Sequence, residues 1–342
     1  MTDNLSEPGS GTFFPNPFYL RHMKRLTILS FFLLCISSAE LRAEKAHPDT
    51  VLTGIYITSV HDIDFRQKEY TVNFWLWLKY KNREFDFAEN LEVPQAKSVM
   101  KSFATIDSSE GEYYLLMKLQ CVMKDSWKIA NFPFDRQKLR LSVENSQFDA
   151  EALVFKADTV GKHFDPRFTL SGWTIDSFNL SIGNKVYETA FGDPSMDKPH
   201  SEYSAFKVKI GITRSAAGLF WKMFLGMYVA FLIAYICFYI HAESTEARFG
   251  LSVGSLFAVI GNKYIIDSAL PETASFTLVD TLHGFTLLFI FLVITCTTIA
   301  LKYVKSGELK RAKRFDMIAA QVLLLLYILL NLYFIERASS GT

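Results

Sequence analysis

The stretch EARFGLSVGSLFAVIGNKYIIDSALP, Glu246 to Pro271, decides how the chain is read. It is apolar enough for a bilayer, yet Glu246 and Arg248 stand at its start, Asn262 and Lys263 near its end, and three glycines lie inside it. On a helix, steps of three and four return to the same face. On that count Glu246, Gly250, Gly254, Phe257, Gly261, Tyr264 and Ser268 form one stripe. A carboxylate at membrane depth is costly unless it meets water or a partner, so the stripe is a candidate lining for a polar path. The spacing also reads as a packing face, because Gly250-xxx-Gly254 is a small-residue helix contact.

The chain around this stretch has 342 residues, is 50% hydrophobic and carries a net charge of +1, which excludes a nucleic-acid binder driven by global charge. Its apolar residues are unevenly spread. Residues 46–213 read as a soluble domain and residues 219–335 as membrane, with the division just after Arg214. At the N-terminus, Lys24 and Arg25 precede the apolar run Leu26 to Ile36 and the small residues Ser37, Ser38 and Ala39. That order predicts a secretory signal within residues 1–43, cleaved after Ala39 or Ala43, with Met23 as a candidate start. The run is too short for a membrane span. Of the four cysteines, only Cys121 remains in the exported domain, so no disulfide forms within it. No Cys/His spacing suggests a metal site, and no nucleophile elbow or phosphate loop is present, so neither metal, cofactor nor catalytic residue is expected.

Upstream of Arg214 the pattern is that of short strands. Val51 to Val60 is β-branched and aromatic, and in Thr71 to Tyr80 the residues Val72, Phe74, Leu76 and Leu78 alternate with Asn73, Trp75, Trp77 and Lys79. Period two puts Trp75 and Trp77 on the face away from the aliphatic core. The turn between these strands is read at His61-Asp62-Ile63-Asp64. Further strands are expected at Tyr113 to Met123, Lys138 to Val143, Ala152 to Lys156, Gly172 to Ser181 and Tyr203 to Ile212, with Gly183 to Glu202 as a long hairpin loop. Such a series predicts an all-β, immunoglobulin-like sandwich over residues 46–213. Residues 214–337 then hold a four-helix transmembrane bundle, with helices at about 219–240, 246–267, 276–301 and 315–335, each long enough for a core of roughly 30 Å. The link before the last helix carries Lys302, Lys305, Lys310, Arg311, Lys313 and Arg314 against Glu308, which predicts a cytoplasmic loop and places the β-domain and the C-terminus outside.

Phe132-Pro133-Phe134-Asp135 followed by Gln137, Ser171-Gly172-Trp173, Arg214 before the first membrane helix, and Leu270-Pro271 after the second occur in one order. This set resembles the pentameric ligand-gated ion channels, the Cys-loop superfamily, over residues 46–335. The loop cysteines of animal members are replaced by Asp125 and Leu139, as in bacterial members. The resemblance implies a homopentamer in a bacterial inner membrane, with the β-domain and C-terminus periplasmic. It implies that the second helix lines the pore, with the stripe from Glu246 to Ser268 facing the lumen and passing monovalent cations.

The start Ala247-Arg248-x-Gly250-Leu251 is similar to glycine-receptor pore helices, which carry Pro where Glu246 stands, whereas bacterial cation channels carry Glu there. An anion channel of the same fold, or a tethered receptor without a pore, are the alternatives. The resemblance further implies a ligand site between subunits, drawn from Trp75, Trp77, Glu144, Phe148, Tyr187, Phe191 and Tyr203. Its agonist is an amine, an aromatic or a carboxylate (Lys97 suits the last), or protons. For coupling between the domains it implies Asp62, Asp64, Asp135, Arg214, Pro271 and Glu272.

Overall fold

A computed structural model describes residues 47–165, 167, 169–192 and 200–340. The expected signal segment lies outside the described residues. Among the described residues nine strands come first: β1 (Asp49–Asp64), β2 (Glu69–Tyr80), β3 (Leu91–Glu92), β4 (Ala96–Ser109), β5 (Glu112–Lys124), β6 (Arg136–Asn145), β7 (Leu153–Ala157), β8 (Trp173–Tyr187) and β9 (Ser201–Arg214). A single helical turn, α1 (Phe87–Asn90), lies between β2 and β3. The strands form a five-stranded sheet in the order β4-β5-β2-β1-β7 and a four-stranded sheet in the order β3-β6-β9-β8. The core between the sheets is built by the alternation read in β2: Tyr70, Val72, Phe74, Leu76 and Leu78 point inward, against Leu139, Leu141, Val143, Val208 and Ile210 of the other sheet.

Three expectations for this domain are corrected. β1 runs on through Asp64, so His61 to Asp64 is the end of a strand and the turn follows at residues 65–68. Asp62 is at φ 52° there, where the β1–β2 register shifts. β8 continues to Tyr187 and β9 begins at Ser201, which shortens the hairpin loop to 188–200, of which 193–199 lies outside the described residues. β4 was not expected at all. It is an edge strand exposed over nearly its whole length, so its sequence lacks the apolar alternation that a half-buried strand must have. Lys97 belongs to this strand and bonds with Lys124 to Glu69, holding that carboxyl below its ordinary range.

After Arg214, four helices are long and apolar enough to cross a membrane. They are α2 (Ala216–Ile236, continued as a 3-10 turn over Cys237–Tyr239), α3 (Thr245–Ala269), α4 (Leu278–Lys305) and α5 (Leu309–Ser340). α5 begins and ends several residues beyond the expected 315–335, because its polar first and last turns remain helical past the apolar run. α4 starts on a capping box, with the Thr277 hydroxyl accepting from the Asp280 amide and the Asp280 carboxylate accepting from the Thr277 amide. The bundle core is aromatic: the ring of Tyr327 on α5 stacks 3.7 Å from that of Phe231 on α2, and its hydroxyl meets Thr286 of α4 at 2.9 Å.

Candidate functional site

The joint between sandwich and bundle is organised by Arg214, the last residue of β9. Its guanidinium grips the buried Asp135 carboxylate through two nitrogens, at 2.6 and 3.2 Å. The same guanidinium lies over three rings, 4.0 Å from the centre of Trp173, 4.6 Å from Phe65 and 4.8 Å from Phe132. Phe65 and Trp173 are themselves stacked at 5.9 Å. A planar, delocalised cation suits both a forked carboxylate contact and aromatic faces, a combination lysine does not offer. Gln137 completes the motif. Its amide donates to Asp135 at 2.7 Å and exchanges two bonds with the backbone of Lys128, pinning the loop at 125–135.

That loop reaches the bundle directly. The amide of Leu278, first residue of α4, donates to the carbonyl of Ala130 at 2.8 Å, and Phe134 packs 5.7 Å from Phe220 of α2. Of the four charges expected to cluster here, the structure joins Asp135 and Arg214. Asp62 stands 2.7 Å from His61 Nδ1, and Asp64 accepts from the Gln67 amide to close the turn. Both acids nevertheless line one groove with Arg214, Asn262 and Leu270. Pro271 is buried after α3, and Glu272 beside it is exposed. The aromatic cage on Arg214 and the Ala130–Leu278 bond were missed in the sequence. Phe132 and Trp173 were visible there as motif residues, but nothing in their spacing indicates a shared cation.

On α3, Glu246, Gly250, Gly254, Phe257, Gly261, Tyr264 and Ser268 are all exposed on the protomer, with Phe257 and Tyr264 at 67% and 76%. The buried side of the helix carries Arg248, Ser252, Ser255, Val259 and Ile266. Arg248 is 1% exposed. It donates to Asp316 of α5 at 2.7 Å and to the carbonyl of Ile240. The two charges two residues apart at the start of α3 therefore have opposite fates, one open and one enclosed, because a step of two on a helix turns to the far side.

The residues expected around a ligand fall into two groups on the single chain. Where β8 and β9 of the four-stranded sheet meet their hairpin loop, Tyr187, Phe191 and Tyr203 form a triad of edge-on rings at 5.5 to 6.3 Å. Behind it, Glu144 is buried at 3% exposure and accepts from the Tyr187 hydroxyl at 2.8 Å and from Ser142 at 3.1 Å. Burial raises the Glu144 carboxyl above its ordinary range, against the lowering effect of those two bonds, and burial with the Glu144 contact raises the Tyr187 phenol. On the five-stranded sheet, Trp75 meets Phe103 edge-on at 5.7 Å and carries Lys118 over its ring. Trp77 is held elsewhere: it lies across Gly54, where a Cβ would stand 2.3 Å from the indole, and donates to Asp158 at 2.9 Å, which lowers that carboxyl. Phe148 stands apart from the triad, 4.8 Å from Phe85. Among the described residues no group of His, Cys, Asp and Glu could hold a metal ion.

No family model matches the chain. It is 26% identical over 274 residues to a proton-gated ion channel of Gloeobacter violaceus, a match covering 74% of this chain and 73% of that one. It is 18% identical over 268 residues to the gamma-aminobutyric acid receptor subunit gamma-4 of Gallus gallus, covering 71% of this chain and 57% of that subunit. These relatives are a channel and a receptor subunit, not enzymes. A β-sandwich feeding through Arg214 into four membrane-capable helices agrees with both, and the chain is a relative of the pentameric ligand-gated ion channels.

Proposed function

We propose that the chain is one subunit of a homopentameric, cation-selective channel of a bacterial inner membrane, gated from a periplasmic β-domain. The observation that carries this reading is the division of charge at the start of α3. Glu246 is open on the protomer surface, while Arg248 is enclosed and neutralised by Asp316. Five copies of α3 around an axis would present a ring of carboxylates with no cation opposing it, and such rings select cations. Gly250, Gly254 and Gly261 add no side-chain charge, and the field of the ring acts over the ~8 Å screening length of physiological salt. Phe257 and Tyr264 supply apolar rings further along, suited to closing a pore by dewetting. The basic link from Lys302 to Arg314 supports the orientation with the β-domain and C-terminus periplasmic.

For the agonist, an anionic carboxyl behind three aromatic faces favours a small organic cation, held against Tyr187, Phe191 and Tyr203 with Glu144 beneath. In the assembly, Trp75 of a neighbouring copy would close this site from the other side. The pairing of Lys97 with Glu69 argues against a carboxylate agonist. Protons are the second reading. It is favoured by the raised Glu144 carboxyl and by the Gloeobacter relative, which is proton-gated.

The deciding measurement is the reversal potential of purified protein in a planar bilayer under a salt gradient. A value near the sodium or potassium potential is expected, moving toward zero in Glu246→Ala. A wild-type reversal near the chloride potential would favour the glycine-receptor-like reading of Ala247 to Gly250 instead.

A further inference from the structure

Three helices meet at a single amide near the upper end of α3. Asn262 donates through Nδ2 to the carbonyl of Met223 on α2, at 3.2 Å. Its Oδ1 faces Nε2 of His283 on α4, at 2.9 Å. The other ring nitrogen, Nδ1, faces the Val279 carbonyl at 2.8 Å. His283 is fully buried, with the Phe224 ring of α2 at 5.6 Å.

The donors and acceptors here do not balance on a neutral ring. A neutral imidazole has one N–H and one lone pair, and both of its nitrogens face oxygen acceptors. Turning the Asn262 amide over would offer N–H to Nε2, but it would set Oδ1 against the Met223 carbonyl. Either neutral arrangement leaves one pair of acceptors facing each other inside the protein, which costs roughly as much as a buried unmet hydrogen bond. Only a ring protonated on both nitrogens completes all three contacts at once.

We propose that Asn262 and His283 are positioning residues that fix the upper part of α3 against α2 and α4, and that a proton taken up by His283 closes this junction. The proposal rests on α3 being the pore helix. Asn262 and Met223 line the groove of about 720 Å³ that also holds Asp62, Asp64 and Arg214 at the joint, so the ring lies one side chain away from it. The charged groups around the ring are Lys263 and Asp267 of α3 and Asp280 of its own helix. They are tied together, with Lys263 at 2.5 Å from Asp267 and 2.8 Å from Asp280. α2 contributes the Met223 carbonyl and the Phe224 ring. From α5, the Tyr327 hydroxyl bonds to Thr286, one turn along from His283. The neighbouring charges thus compensate one another.

The test uses the full chain in lipid nanodiscs. Hydrogen exchange of the α3 amides around Asn262 is compared on either side of the ordinary imidazole range, at about pH 5 and about pH 8. In the parent, protection should be about fivefold greater at the lower pH, the factor that one buried hydrogen bond supplies. His283→Gln should remove that difference. Asn262→Asp, which sets a carboxylate against the ring, should move the transition upward by about one pH unit or more. Equal protection at both pH values in the parent overturns the proposal. So does a pH dependence that persists unchanged in His283→Gln, or, if that variant does not fold, an unmoved transition in Asn262→Asp. Exchange reads the junction without any current, so a chain that conducts nothing would overturn the channel reading and leave this measurement standing. Should currents be obtained, the same variants should move their proton dependence in parallel.

Discussion

Nη2 of Arg248 on α3 stands 2.7 Å from Oδ2 of Asp316 on α5, with both side chains buried. Among the described residues, neither Nη1 of Arg248 nor Oδ1 of Asp316 has a hydrogen-bond partner. Breaking a buried pair by removing one member leaves an uncompensated charge, typically at a cost of about 3–5 kcal/mol. Asp316→Ala should therefore lower thermal stability in detergent sharply, whereas the joint replacement Arg248→Met with Asp316→Leu should recover most of the loss. Ion selectivity in that double variant should match the parent, since the pair does not face the exposed stripe. A reversal potential altered as much as in Glu246→Ala would place Arg248 in the ion path.

Arg214→Lys separates charge from shape at the joint. The lysine keeps a cation near Asp135 but loses the forked contact and the flat fit against Phe65, Phe132 and Trp173. Assembly should survive, and agonist-evoked current should fall by at least about tenfold, the equivalent of about 1.4 kcal/mol of lost coupling. Full current at unchanged agonist sensitivity would remove the cage from the gating path.

Glu144→Gln tests the aromatic site in two ways. Because folding raises the Glu144 carboxyl, the folded chain holds its proton where the unfolded chain has lost it. Stability from this group is thus complete below the ordinary carboxylate range and is lost as pH rises from there through the raised value. The parent should show that decline in thermal melts, and Glu144→Gln should not. For an organic cation, the same substitution and Tyr203→Ala should each shift the dose response to higher concentration. An unshifted response in both would move the agonist elsewhere.

Gly54→Ala probes the seat of Trp77. An added Cβ meets the indole at 2.3 Å, so the ring must leave its place and its bond to Asp158. A loss of about 1–3 kcal/mol is expected, as for other overpacked sites, readable by denaturant unfolding of the β-domain signal. A neutral result would mean that Trp77 is free to turn.

What could be read from the chain follows the physics of each part. The alternation in Thr71 to Tyr80 was legible because one face of β2 is buried, and the four spans because each must cover a bilayer thickness of apolar side chains. That Glu246 and Arg248 leave α3 on different sides follows from their spacing of two on a helix. β4 was not legible, since an exposed edge strand has no buried face to impose a pattern. The partner of Arg248 was not, because Asp316 is 68 residues away and nothing local marks it. The cage on Arg214 draws rings from β1's turn, the 125–135 loop and β8, a convergence that only the sandwich topology creates. Trp77 shows a finer limit: it shares a face with Trp75 as the alternation predicts, and only the glycine opposite it on β1 gives it a separate seat.

β4 has one further consequence. A lone protomer carries an unpaired strand edge studded with exposed Val99, Met100, Phe103 and Ile106, together with the bare rings of Phe257 and Tyr264 on α3. Open edges of this kind recruit any other extended chain, right or wrong. Edge-to-edge pairing with a wrong partner therefore competes with any specific contact this strand makes.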